Sequence, residues 1–264
     1  TAENKFLRIG VDGQDDLVGG FPRTRSELYE YRGLVLGSIE ASYFTPDQLR
    51  MIADFVNHRG GGLLMLGSHR SFAEGGYACT PVAYVLAVVL DPVRPDSEAG
   101  FFAEFNVEPT RAGSAHASTM IAEDEAASLE RWRTLPPVTV VNPITEVKPG
   151  ATTLLKTPED LVVLAFQRYG AGKALAFPVQ DSWMWQMHAD IEVEDMTHET
   201  LWRRLLRWMV DGVPDQVAVD VLTARVELDE TLRLTAEVDD ANYEEINTSQ
   251  VSAWITDPDG ELLE

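Results

Sequence analysis

The stretch "GLVLGSIEASYFTPDQLRMIADFVNHRGGGLLMLG", residues 33–67, constrains the fold more than any other part of the chain. "GLVLGSI" (33–39) is a short apolar run of the kind a buried strand needs. In the helix that follows, Thr45 serves as the N-cap, Pro46 fits the first helical position, and Gln48 completes a capping box. Leu49, Ile52, Ala53 and Val56 share one face at helical spacing, and Gly60 supplies the stop. "LLMLG" (63–67) is then the next strand. Strand, helix and strand in immediate succession predict a right-handed parallel crossover, and with it an α/β layer fold.

The flanks extend the alternation. "FLRIGV" (6–11) reads as a short strand and "RTRSELYEYR" (23–32) as a helix. "TPVAYVLAVVL" (80–90) reads as a helix packed on the sheet, and "SLERWRTLPP" (128–137) as a helix that ends before its prolines. Three strands follow, "ATTLL" (151–155), "LVVLAFQRYG" (161–170) and "GKALAFPV" (172–179), with a hairpin turn at Tyr169 to Lys173. "THETLWRRLLRWMVDG" (197–212) is a second well-marked helix. Thr197 is its expected cap, Glu199 suits its positive end, and Leu201, Leu205, Trp208 and Met209 form its apolar stripe.

After Pro214 the texture changes to period-two alternation with Asp-, Asn- and Gly-rich turns. This predicts two domains, 1–213 (α/β) and 214–264, the second being the start of an immunoglobulin-like β-sandwich. Its length supplies three or four strands, fewer than the roughly seven of a sandwich, so the domain is expected to be incomplete. The chain also opens on "TAENKFLRIG" without Met and stops at "DPDGELLE". A longer native protein is the expectation.

A formal net charge of −22 disfavours nucleic acid, whose phosphates must be met by Lys and Arg, and would repel an anionic membrane surface. No apolar run is long enough to span a bilayer, and no signal peptide opens the chain. The single cysteine, Cys79, excludes an internal disulfide and a Cys-based zinc site. "HADIEVEDMTHE" (188–199) packs two His and five carboxylates into twelve residues, without metal-ligand spacing. It reads as a solvated acidic loop, and neither a metal nor a cofactor is expected.

The chemistry concentrates in "GGGLLMLGSHRSFAEGGY" (60–77), a buried strand leading into a Gly-Ser-His turn and a second glycine-rich loop. Together with "DSWMWQMH…THETLWRRLLRWMV", the run from Tyr31 to Tyr77 resembles the class I glutamine amidotransferase-like proteins. The likeness is to a bacterial subgroup often found in longer, membrane-tethered chains, and it covers roughly residues 5 to 213. It implies a flavodoxin-like three-layer α/β sandwich, and a place in the cell envelope or periplasm.

Active members of that family carry Cys in a Gly-x-Cys-x-Gly turn, served by a His and a Glu near a late helix. With Gly67 as the first glycine, His69 takes the nucleophile position and Ser71 the second glycine's. Shifted by one, Ser68 takes it, with Leu66 and Arg70 replacing both glycines. Neither register offers a cysteine, and Cys79 lies beyond the second loop. His198 and Glu199 occupy the late-helix position but are adjacent, whereas the family pattern is His-x-Glu. On a helix, neighbours point about 100° apart.

Ser68, His69, His198 and Glu199 are therefore the catalytic candidates. They stand against a plain reading in which Glu199 complements the helix dipole and His198 is an ordinary helix residue. A ligand rim would draw on Gly67, Arg70 and Tyr77, with "FAEGGY" as a flexible flap, and on His116, Asp181, Trp183 and Trp185. The tryptophans fit either a ligand rim, for instance for a sugar, or a core that covers the sheet. Two functions remain open. One is a binding or scaffolding module, for a small molecule or a protein, that has lost its nucleophile. The other is an active amidotransferase or amidohydrolase using Ser68 or Cys79 with His198 and Glu199.

Overall fold

Each end of the helix at residues 46–57 is closed in the way its sequence dictates. Thr45 Oγ1 accepts from the Gln48 N–H (3.2 Å), and Gln48 Oε1 accepts from the Thr45 N–H (3.0 Å). At the other end Gly60 takes φ +78°, which lets the Gly61 N–H reach the Phe55 carbonyl at 3.0 Å. The buried face is wider than its heptad spacing implies. Met51 and Phe55 join Leu49, Ile52 and Val56, while Ala53 is only half-buried.

The computed structural model describes residues 7–11, 13, 17–92, 103–221, 231–252, 254–256 and 262–263. The chain divides into two compact units, Thr1–Val213 and Pro214–Glu264. The first runs α1 (Arg25–Tyr29), β1 (Gly33–Leu36), α2 (Pro46–Asn57), β2 (Gly62–Leu66), α3 (Pro81–Val85), β3 (Glu108–Pro109) and α4 (Arg111–Ser114). It continues with α5 (Glu125–Thr134), β4 (Thr152–Lys156), β5 (Val162–Tyr169), β6 (Gly172–Phe177), α6 (Met184–Met187) and α7 (Thr197–Val210).

These strands form one mixed sheet in the order β1-β2-β6-β5-β4-β3. β1, β2 and β6 are parallel, with Gly33 opposite Gly62 and Gly62 opposite Lys173. The hairpin of β5 and β6 and the added β4 and β3 are antiparallel. Alternation along β2 sends its side chains to two cores. Gly62 and Leu64 face α7, where a Cβ on Gly62 would lie 2.5 Å from Met209 Cγ. Leu64, Leu175 and Phe177 share a cluster there with Leu201, Leu205 and Met209. Gly61, Leu63 and Met65 turn to the other face, where the Phe55 ring of α2 leaves no room for a Cβ on Gly61. Helix, sheet and helix give three layers.

Three expectations need correction. Residues 7–11 form no strand, and Leu7 and Ile9 are 88% and 84% exposed; residue 6 lies outside the described residues. The helix expected over 80–90 is only α3. Its continuation is rich in β-branched Val and runs extended, Val88 bridging Val147, because fully buried Leu86, Ala87 and Val88 pack best that way. Thr197 is the first residue of α7 rather than its cap. Met196 takes the cap position without a side-chain bond, and Asp195 just before it accepts the Thr197 N–H at 2.8 Å while paired with Arg131 at 2.7 Å. In the stripe of α7, Leu201, Leu205 and Met209 are buried and Trp208 is half-buried.

The second unit contains β7 (Val217–Val221) and β8 (Leu234–Val238), paired antiparallel, and the short pair β9 (Ile255–Thr256) and β10 (Leu262–Leu263). Val217, Val219 and Val221 stand opposite Val238, Ala236 and Leu234, so one face of the β7–β8 ribbon is apolar throughout.

Candidate functional site

The turn after β2 owes its shape to a residue without a side chain. The Gly67 N–H bonds the Phe177 carbonyl at 2.8 Å, and a Cβ on Gly67 would fall 2.3 Å from the Pro178 carbonyl carbon. Only glycine fits where β2 and β6 leave the sheet together. The chain then turns Ser68 inward, to 1% exposure.

Every polar group of Ser68 is engaged. Its N–H donates to Asn142 Oδ1 and its carbonyl accepts from Asn142 Nδ2, both at 3.0 Å. Its Oγ lies 2.9 Å from Ser71 Oγ and accepts the Arg70 N–H at 3.0 Å. The hydroxyl thus closes the turn from within, as Ser side chains do in turns. Asn142, a residue without a motif around it, is the keystone; its Nδ2 also reaches Glu74 Oε2 at 2.9 Å.

The following loop is packed, not a free flap. Phe72 is fully buried at φ +53°, and Tyr77 is buried with its hydroxyl donating to the Ile39 carbonyl (2.9 Å). Burial raises the Tyr77 phenol well above its ordinary value. A Cβ on Gly75 would meet the Arg70 carbonyl at 2.2 Å, and the Gly75 carbonyl accepts the Ala41 N–H at 2.8 Å. His69, Arg70 and Cys79 are exposed, with Arg70 Nε 3.8 Å from Glu40 Oε1.

The histidine half is built separately. His198 Nε2 accepts the Trp202 indole N–H at 2.9 Å. Indole nitrogen only donates, so Nε2 carries no proton. The Nδ1–H then donates to Gln186 Oε1 at 3.2 Å. Ser182 Oγ lies 3.4 Å from the same Nε2. Glu199 does not orient the ring; it is exposed and faces Arg203 at 3.7 Å. The hydrogen-bond partners of Ser68 (Asn142, Ser71 and Arg70) and of His198 (Trp202, Gln186 and Ser182) do not overlap, so these bonds do not bring the two together. Ser182 and Gln186, which hold the ring, carry no sequence signal beyond their place after a strand.

The ligand candidates scatter likewise. Asp181 is buried and its oxygens accept the Thr139 N–H (2.7 Å), the Thr139 hydroxyl (2.8 Å) and the Val140 N–H (3.2 Å). Trp185 is in the core at 1% exposure, edge-on to Trp132 at 5.4 Å, while Trp183 is 51% exposed. The two do not form a shared rim. His116 stacks against Trp208 at 4.8 Å and Phe166 at 5.3 Å, and its Nδ1 accepts the Ser118 N–H at 3.2 Å. Trp208 of α7 lies beside Lys173 at the amino end of β6, away from Gly67 and Pro178. Among the described residues, no group of three or more His, Cys, Asp or Glu could hold a metal ion.

Burial lowers the pKa of both His198 and His116, with the Lys173 charge adding to the second. Each is neutral in the folded state and takes up a proton more readily once unfolded. Their contribution to stability is fully present above pH about 6.5, the ordinary imidazole value. It is lost as the pH falls through the depressed folded values. Urea midpoints are expected to drop as the pH falls below about 6.5, with a shallower drop in His198→Gln and His116→Gln. An unchanged slope in both variants would contradict this assignment.

Comparison with known proteins agrees with this architecture. The family described as "Putative glutamine amidotransferase" (GATase1_like) matches residues 15–211. Two solved structures from Salmonella typhimurium are similar in fold. The cytoplasmic protein STM1381 (strain LT2) is 24% identical with a TM-score of 0.56, and the cytoplasmic protein STM3548 is 21% identical with a TM-score of 0.54. Each match covers 72% of this chain and 76% of the other. A comparison with curated proteins returns no match. With a match over most of its length and the α/β fold that the family implies, this chain belongs to the class I glutamine amidotransferase-like family.

Proposed function

We propose that the α/β unit is a non-catalytic member of the family and works as a binding or scaffolding module. One observation carries this: the hydroxyl at the nucleophile turn, Ser68 Oγ, is buried and spent on closing the turn. His69, in the other register, is an exposed imidazole with no cysteine beside it, and the Trp202 indole occupies His198 Nε2. A nucleophile needs a base within reach and an open approach, and Ser68 has neither among its hydrogen bonds. What the rim offers instead is recognition, through exposed His69, Arg70 and Trp183 at the carboxyl ends of neighbouring strands, where open α/β sheets bind ligands.

The experiment is a screen of amines, amides and glycans by tryptophan fluorescence and thermal shift. The expected result is a ligand whose signal is lost in Trp183→Ala and Arg70→Ala, both still folded. Glutamine turnover by the wild type would defeat the proposal. The alternating apolar face of β7 and β8 supports reading the second unit as the start of a β-sandwich. Membership of a longer, envelope-associated chain is part of the same proposal and rests on the sequence resemblance. Among the described residues no helix is long and apolar enough to cross a membrane.

A second reading, an active hydrolase with an altered nucleophile, is favoured by one contact. Ser182 follows a strand exit and sits 3.4 Å from His198 Nε2, whose other nitrogen is held by Gln186. Trp202 opposes it, because a proton accepted at Nε2 would face the indole N–H.

A further inference from the structure

Trp183, Met187, Val193 and Met196, four large apolar side chains of one short segment, stand in solvent. Single exposed apolar residues are ordinary, but several gathered on one loop mark a surface of interaction. The segment is closed on itself. His198, in the first turn of α7, bonds Gln186 at 3.2 Å and lies 3.4 Å from Ser182, which ties the two ends together. Between them the Ile191 N–H bonds the His188 carbonyl and the Asp195 N–H bonds the Glu192 carbonyl, both at 3.0 Å. The pair of Asp195 with Arg131 fastens the returning arm to α5. Compact surface loops with joined ends are frequent carriers of function.

The loop carries two kinds of group outward. Trp183 and Met187 are four apart on α6, with the Met187 N–H on the Trp183 carbonyl at 2.9 Å, so they share one face. Met187 is 73% exposed and Val193 94%. Val193 stands between Glu192 and Glu194, both exposed, and among the described residues neither forms an ion pair. Charge then selects the occupant. An anionic membrane and a second copy would each be repelled by a chain of formal charge −22. A cationic segment is attracted, and finds carboxylates for its Lys or Arg, an open indole for cation–π contact, and two methionines that repack around varied side chains.

We infer that the loop 183–197 is a docking surface for a basic amphipathic segment of another protein. The partner's apolar face covers Met187, Val193 and Met196, and its cations meet Glu192, Glu194 and the Trp183 ring. The inference rests on the reading of this unit as a binding module and names the partner of that module.

The test uses the full chain and a labelled helical peptide with a Leu face and a Lys face, read by fluorescence anisotropy. The peptide is expected to bind wild type, and a counterpart with Glu in place of Lys is not. The Met187→Ser/Val193→Ser and Glu192→Gln/Glu194→Gln double variants should each weaken binding roughly tenfold or more. Exposed groups elsewhere serve as controls, and Tyr84→Ser and Glu244→Gln/Glu245→Gln should leave it within about twofold. No binding, or an equal loss in the two charge variants, overturns the inference, the second because the overall field alone would then hold the peptide. Equal binding of a Lys peptide without Leu overturns it as well. Self-association that Val193→Ser abolishes would give the loop to a second copy instead. Failure of the peptide leaves a small-molecule ligand for the rim, which separates this inference from the module reading.

Discussion

Trp185→Ala lowers the free energy of unfolding by about 3–5 kcal/mol, whereas Trp183→Ala, two residues away, changes it by no more than about 0.5 kcal/mol. The difference follows from where α6 turns each ring. Trp185 is buried between the α7 side of the sheet and α5, edge-on to Trp132 at 5.4 Å and to Phe177 at 6.4 Å. Its indole N–H donates to the Pro136 carbonyl at 3.1 Å. Truncation leaves a cavity in the larger core and orphans that carbonyl. Trp183 has half its surface in water. Urea unfolding of both variants reads the contrast directly, and equal losses would mean that both rings are core. Trp183→Ala is instead expected to be felt in ligand binding.

Asp181→Ala costs about 3 kcal/mol, because two backbone N–H groups and a hydroxyl lose a buried acceptor together. The segments 138–142 and 178–181 run side by side beyond the sheet, with Val141 bridging Val179 and the Asn142 N–H on the Pro178 carbonyl. Asp181 is the clasp at one end of this pair, and the Asn142 side chain links the other end to the turn at Ser68. Asp181→Asn should cost less, since one acceptor oxygen remains. Urea midpoints and amide exchange at Thr139 and Val140 measure the effect. Full stability in Asp181→Ala would return the carboxylate to the role of a ligand group.

The elements that could be read from the sequence are those whose local chemistry agrees with their tertiary setting. The capping box of α2, the Gly60 stop and the β5–β6 hairpin are specified by residues within a few positions of each other. The strand end at Gly67 was legible for the same reason. The antiparallel β3 and the bridges of Val88 and Val141 were not, because they depend on partners 38 or more residues away. In the site, the sequence pairs Ser68 with His198 through family order. The structure assigns each to different neighbours, Asn142 and Ser71 for one, Trp202, Gln186 and Ser182 for the other. A side chain's direction at a turn is set by such contacts, and no spacing rule carries them. The two tryptophans of "DSWMWQ" separate for a similar reason: Trp183 caps the single turn α6 and Trp185 lies within it, and positions two apart in a helical turn point to different sides.

The most direct test of the central claim is glutamine hydrolysis by the wild-type chain, read as ammonia release, alongside Ser68→Ala, Cys79→Ala and Ser182→Ala. The proposal of a non-catalytic module predicts release at the buffer rate for all four proteins. Release above that rate in wild type, abolished by any one of the substitutions, would show that this chain has kept the chemistry of its family and would name the atom that performs it.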